Sequence, residues 1–146
     1  MPIPAASADI RDLRATARWV RELARDAGFQ RCGISGVDLE GDERHLRDWL
    51  AQGLHGGMGW MARHGDLRAR PAELVPGTVR VISVGLDYGQ DPDQAWATLA
   101  DGERAYVARY ALGRDYHKLM RNRLQKLAER IAAEIGPFGH RVFVDS

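Results

Sequence analysis

Cysteine is almost missing from this sequence: Cys32 is the one thiol in 146 residues. A single thiol closes no internal disulfide, and nothing else points to an oxidising compartment. Iron–sulfur clusters and structural zinc take about four ligands, so Cys32 cannot hold either by itself. It reads as a core cysteine. Long apolar runs are missing too, since none approaches the roughly 20 residues of a membrane span. The start, Met1-Pro2-Ile3-Pro4-Ala5-Ala6-Ser7, lacks a basic stretch followed by an apolar one. A secretory leader is therefore not expected, and a cytoplasmic location is. Neither a Gly-x-Gly-x-x-Gly nor a Walker-type loop is present, and the serines have no nucleophile-elbow context. His64 and His117 have no companions at metal-site spacing, so hydrogen-bonding or surface roles are expected of them and no metal site is assigned.

What is present is the profile of a globular chain: 45% hydrophobic and 28% charged residues. This length is enough for one domain that buries about two-thirds of its unfolded surface. The net charge is only +1, but it is unevenly spread. Between residues 109 and 130, Arg109, Arg114, Lys118, Arg121, Arg123, Lys126 and Arg130 face only Asp115 and Glu129. Between 61 and 80, Arg63, Arg68, Arg70 and Arg80 face Asp66 and Glu73. Basic segments on a nearly neutral chain point to an anionic partner, with a solvated helix face as the alternative.

Ile10, Leu13, Ala17, Val20, Leu23, Ala24 and Ala27 recur at helical spacing, and Gly28 is a natural stop. Phe29 to Ser35 reads as a short strand with Cys32 and Ile34 on one face. Asp42 is placed to cap a second helix with Leu46, Trp49 and Leu50 on its apolar side and Gly53 at its end. Thr78 to Leu86 is the strongest strand, and its near-continuous apolar character predicts a sheet covered on both sides. Residues 87–104, acidic and holding Pro92 and Gly102, read mostly as loop. Ala105 to Tyr110 reads as extended. Asp115 caps a long helix with Leu119, Leu124, Leu127, Ile131 and Ile135 inward, stopped by Gly136-Pro137. Arg141 to Asp145 reads as a final strand. Interleaved helices and strands give an α+β or α/β class, with a central, mostly buried sheet flanked by helices.

Two places can carry chemistry. Asp145 follows an apolar strand, where α/β proteins often bind ligands, and a desolvated carboxyl there is a plausible proton donor; an ordinary capping aspartate is the plain alternative. The run Arg109-Tyr110-Ala111-Leu112-Gly113-Arg114-Asp115-Tyr116-His117-Lys118 opens a helix, whose free N–H groups attract anions. Arginines fork onto phosphate, and tyrosines stack on bases or a flat cofactor. The alternative is a helix cap with core tyrosines and solvated arginines.

Three blocks go further. They are Leu54-His55-Gly56-Gly57-Met58-Gly59-Trp60-Met61-Ala62-Arg63-His64 running on through Leu67 to Val84, then Tyr110 to Leu119 with Arg121-Asn122-Arg123-Leu124, then Phe143-Val144-Asp145-Ser146. In this order they resemble the N-terminal domain of epoxyqueuosine reductases, over nearly the whole chain from about residue 10. The resemblance implies a truncated, nitroreductase-like cobalamin domain spanning residues 1–146. It further implies that the family's iron–sulfur and tRNA-binding C-terminal parts lie outside this chain. The implied activity is reduction of the epoxide of epoxyqueuosine in a tRNA anticodon loop to queuosine, using cobalamin and two 4Fe–4S clusters. By the same resemblance Asp145 matches the proton donor, Arg63 a cobalamin contact, and Ala108 to His117 the region meeting corrin and substrate. Within that region Ala108, Tyr116 and His117 are expected on the cofactor, and Arg114, Lys118, Arg121, Arg123 and Lys126 on RNA. The expected partners are tRNA and an electron donor of unknown identity. No membrane is expected, and the complete protein is expected to be a monomer, with this piece inactive alone. The competing readings are a free-standing RNA- or corrinoid-binding module without catalysis, and a general nucleic-acid binder.

Overall fold

The computed structural model describes residues 12–88, 92–113 and 115–144. They divide into two compact units, the first holding residues up to Cys32, Val84–Phe138 and Val142 onward, the second Gly33–Ser83 and Gly139–Arg141.

The first unit is built on two packed helices. Helix α1 (Leu13–Asp26) starts where the Asp12 carboxylate accepts the backbone N–H groups of Arg14 and Ala15, both at 3.0 Å. Side-chain capping of this kind is worth about 1 kcal/mol because it satisfies donors that the helix cannot. The helix ends in a Schellman turn. Gly28 N–H donates to the Arg25 carbonyl at 2.8 Å and Phe29 N–H to the Ala24 carbonyl at 3.0 Å, with Gly28 at φ +88°. That turn drives Phe29 back under the helix, where it is 2% exposed. Val20, Leu23 and Ala24 of α1 and Leu127 and Ile131 of α6 (Tyr116–Ile135) are buried as well, and the two helices touch. Burial of such a side chain contributes about 1.5–3 kcal/mol.

The remaining parts of this unit depart from the pattern in instructive ways. Residues 92–100 form a helix, α5 (Pro92–Ala100), within a segment expected to be loop. Proline at the first helical position loses no hydrogen bond, so Pro92 opens a helix there instead of breaking one. Ala105 to Tyr110 is not a strand but irregular chain running into a 3₁₀ turn, Arg109–Ala111. In α6, Asp115 accepts His117 N–H at 3.0 Å as expected and Gly136 follows the end at φ +93°. Leu127 and Ile131 are buried, Leu124 and Ile135 half-buried, but Leu119 is 43% exposed. It sits about two turns before Leu127, outside the buried stretch. Arg141 to Val144 makes no strand ladder; Val142 and Val144 are half-buried and Arg141 and Phe143 exposed, which keeps the period-two alternation without the pairing.

In the second unit, α2 (Glu40–Ala51) begins two residues before the expected cap Asp42, with Glu40 N–H meeting the Asp38 carboxylate at 3.3 Å. It too ends in a Schellman turn at Gly53, φ +68°, with Leu54 N–H on the Trp49 carbonyl at 3.2 Å. No residue of α2 is fully buried, so ion pairs hold it instead. Arg47 forks onto Asp66 at 2.9 and 2.7 Å, and Arg70 onto Glu43 at 3.0 and 2.9 Å. These tie α2 to the 3₁₀ turn Gly65–Ala69 and the short helix α4 (Pro71–Leu74). Between them lies the one-turn helix α3 (Trp60–Arg63).

Strands β1 (Arg31–Ser35) and β2 (Val81–Gly85) form a two-stranded sheet, and the division between units runs through both. They run antiparallel, since Gln30 N–H, just before β1, donates to the carbonyl of Gly85 at the end of β2. The predicted two-sided cover is not there: every residue of both strands is half-buried or exposed. An apolar run states that a strand tolerates cover on both faces; it does not supply the layers. The class is α+β, helices with a small sheet. Among the described residues no helix is long and apolar enough to cross a membrane.

Candidate cofactor and nucleic-acid surface

Five of the residues singled out in the sequence fall close together in the first unit, around the start of α6. Tyr116 and His117 stack with ring centroids 4.1 Å apart, and Tyr110 meets Tyr116 edge-on at 6.2 Å. The Asp115 carboxylate holds the ring by its Nδ1 at 2.9 Å, as well as capping the helix. That hydrogen bond from the His117 side chain, followed by the one from its backbone, keeps the Asp115 carboxyl below its ordinary range. Asp115 therefore stays ionised and sets the orientation of His117. Lys118 is exposed beside them.

Just before this cluster, Ala108 is exposed and its carbonyl accepts the N–H of Ala111 at 2.9 Å, which turns the chain. On either side of Ala108 in sequence, Tyr106, Val107, Arg109 and Leu112 line a cleft with Gln94 and Thr98 of α5, of about 490 Å³. Its lining is mixed, with polar or charged Gln94, Thr98, Tyr106 and Arg109 beside apolar Ala95, Ala105, Val107 and Leu112.

The other residues are more scattered. On α6, Arg121 and Lys126 are exposed. Arg123 is half-buried, its Nη1 3.0 Å from where a Cβ on Gly28 would lie, so it packs over the α1 turn. Arg63 is exposed at the end of α3 in the second unit. There the Arg68 guanidinium lies 5.2 Å over the Trp60 ring and donates to the Trp60 and Met61 carbonyls at 3.1 and 3.0 Å, fixing the turn that carries Arg63. Arg114 and Asp145 lie outside the described residues.

Cys32 is half-buried; desolvation raises its thiol, against a smaller opposing pull from Arg21, so it is a neutral thiol at neutral pH. Among the described residues no group of three or more His, Cys, Asp or Glu gathers as a metal site.

Two features went unread in the sequence. One is the α5 wall of the cleft, hidden by Pro92. The other is on α1, where Arg14, Arg18, Arg21 and Arg25 are all exposed. Their spacing of four, three and four residues was the available signal.

The profile of the family described as Epoxyqueuosine reductase QueG, DUF1730 matches residues 68–146. A curated epoxyqueuosine reductase of Xanthomonas campestris pv. campestris is 74% identical over 133 residues, covering 90% of this chain and 37% of that protein. Those of Pseudomonas aeruginosa and Vibrio cholerae serotype O1 are 58% and 52% identical over 89% and 92% of this chain, and 36% and 37% of their own lengths. The chain thus spans little more than a third of the curated relatives it matches. No solved structure matches it. With its family profile covering more than half of the residues, the chain belongs to the epoxyqueuosine reductase QueG family.

Proposed function

We propose that this chain is the N-terminal, cofactor- and substrate-facing part of a reductase that converts the epoxide of epoxyqueuosine in tRNA to queuosine. The observation that carries the reading is 74% identity over 90% of the chain to a protein named epoxyqueuosine reductase. On this reading the chain is part of a nitroreductase-like cobalamin domain, and the rest of the protein supplies the 4Fe–4S clusters.

The residues described fit one side of cobalamin. A corrin is a broad, mostly apolar ring fringed with amides. Stacked Tyr116 and His117, with Tyr110 edge-on, offer a flat aromatic surface, and the cleft beside Ala108 offers a mixed lining that includes Tyr106, Val107, Arg109 and Leu112. Drug-sized ligands fill pockets of about 300–1,000 Å³, so a cleft of about 490 Å³ takes an edge of the macrocycle. Arg63 is assigned to the cofactor on the family resemblance alone. Cobalamin, when bound, supplies the reducing chemistry at the epoxide carbon.

The protein's own part is proton and position. A collapsing epoxide leaves a negative oxygen, and Asp145 is the group assigned to protonate it. For that its carboxyl must be neutral near pH 7, which an apolar surround favours. Lys118, Arg121 and Lys126 hold RNA phosphates, while Arg123 braces α6 against α1.

The test is a single-turnover assay of the full-length protein loaded with cobalamin and clusters, given a strong reductant and epoxyqueuosine-containing tRNA. Nucleoside mass spectrometry is expected to show queuosine; its absence from the fully loaded protein overturns the reading. General acid catalysis contributes about 10²–10⁴-fold, so Asp145→Asn should lose at least about a hundredfold in rate while binding cofactor and tRNA normally. A loss below about threefold would remove Asp145 from the chemistry.

A further inference from the structure

Helix α1 carries a charge pattern that its fold does not use. Arg14, Arg18, Arg21 and Arg25 fall within about 60° of arc at 100° per residue. All four are exposed, and among the described residues none makes an ion pair. This contrasts with the second unit, where Arg47 and Arg70 engage Asp66, Glu43 and Glu73, and with Arg130 of α6, 3.9 Å from Asp26.

The stripe works against helix stability. Arg14–Arg18 and Arg21–Arg25 are like charges four residues apart, which repel. Arg14 also lies in the first turn, where the helix dipole disfavours a cation and where α1 has no acidic residue. Glu22 follows Arg18 by one turn, yet no ion pair joins them. Among the described residues, then, α1 aligns four arginines over about three turns with no carboxylate paired to any of them.

We propose that this face of α1 is a docking surface for the sugar–phosphate backbone of RNA. The inference rests on the tRNA-reductase reading above and extends it to an element outside the cofactor cluster. A ladder of guanidiniums rising by about 4.5–6 Å per step suits a polyanion with regularly repeating charges, because each fork binds a phosphate separately. An anionic membrane is the competing partner for a basic amphipathic helix, and the packing argues against it. Such a helix must sink its apolar face into lipid, whereas Val20, Leu23 and Ala24 on that face are at most 9% exposed and lie in the protein core. The basic residues of α6, by comparison, fan around its solvent side, and Arg123 is partly covered.

The test uses the full-length protein with Arg14, Arg18, Arg21 and Arg25 all changed to Gln, which has similar helix propensity to Arg. Binding to a fluorescent tRNA transcript is measured across a salt series, with circular dichroism confirming helix content. Each lost phosphate contact should flatten the slope of log affinity against log salt by about 0.7–0.9, so the fourfold variant should flatten it by about 3 and weaken binding at low salt by at least about tenfold. The matching variant with four lysines keeps the charge and should retain most of the slope. A wild-type slope in the Gln variant overturns the proposal while leaving the tRNA reading intact. Wild-type protein that fails to bind tRNA at any salt sinks both. Vesicles containing phosphatidylserine provide the remaining arm: binding that is lost in the Gln variant, with tRNA binding unchanged, would assign the stripe to membranes and overturn the proposal.

Discussion

Glu43 shows what one side chain does when a helix has little core beneath it. Its carboxylate accepts the Arg70 fork and pairs with Arg47, which itself holds Asp66. The hydrogen bond from Arg70 holds the Glu43 carboxyl below its ordinary value of 4.5, and that from Arg47 holds Asp66 below 3.8. The sign follows directly. Both groups bind a proton less tightly when folded, so their contribution to stability is complete above the ordinary carboxylate range and is lost as pH falls through the lowered values. Acid should therefore loosen α2 from the 65–74 segment before it touches the apolar core of the first unit. Amide hydrogen exchange is expected to show α2 protection falling as pH drops below about 4.5, after correction for intrinsic rates. In Glu43→Gln the α2 amides should already be less protected at neutral pH and change less on acidification. Identical pH profiles in the two proteins would mean that the ion network contributes nothing. Glu43–Arg47 is an ordinary pair one helical turn apart, but the links from Arg70 to Glu43 and from Arg47 to Asp66 are not legible from spacing, because they span 27 and 19 residues.

At the scale of the element, helix ends were the most readable feature and helix starts less so. Gly28 and Gly53 both take the left-handed conformation that closes a Schellman turn, because a Cβ there is costly and glycine has none. Asp12 and Asp115 cap as their residue type requires. Asp42 does not, since α2 starts earlier at Leu39 and Glu40, where Asp38 meets the first free N–H. Gly28 gives the sharpest test. A methyl there meets both the backbone penalty of φ +88° and the Arg123 guanidinium, 3.0 Å away. Gly28→Ala should cost about 1–2 kcal/mol from the backbone alone, read as a lower denaturant midpoint. Gly57→Ala is the control, lacking a positive φ and with open space around it, and should change the midpoint by less than about 0.5 kcal/mol. Equal effects would show that the turn at Gly28 carries no special constraint.

For the whole molecule, exposed apolar surface is the dominant fact. Trp96 is 70% exposed, Val79 69% and Leu54 59%, while among the described residues few apolar side chains are buried, Phe29 the largest of them. A chain that spans 37% of its relative is expected to present such surface to the rest of the family's protein. Isolated residues 1–146 should therefore enhance the fluorescence of a hydrophobic dye more than an equal amount of the full-length protein, and should form no queuosine even with cobalamin and reductant, since Cys32 alone cannot anchor a cluster. Turnover above a cobalamin-free control would contradict this. The sequence by itself determined the α+β class, the α1 and α6 helices with their glycine stops and the Asp115 cap, the segments of both strands, and the Tyr110–Lys118 concentration of polar and aromatic groups. These follow from local rules, in which a cap, a positive φ or a period of 3.6 needs only near neighbours. Tertiary structure alone decided which apolar residues became core, so that Leu119 stayed outside while Leu127 went in, and it left the β2 strand half-covered. It also turned Arg123 onto Gly28, joined Arg47 to Asp66 and Arg70 to Glu43, and left the arginines of α1 without an ion pair among the described residues. Each of those outcomes depends on what a distant part of the chain brings within a few ångströms, and spacing along the sequence carries no record of that distance.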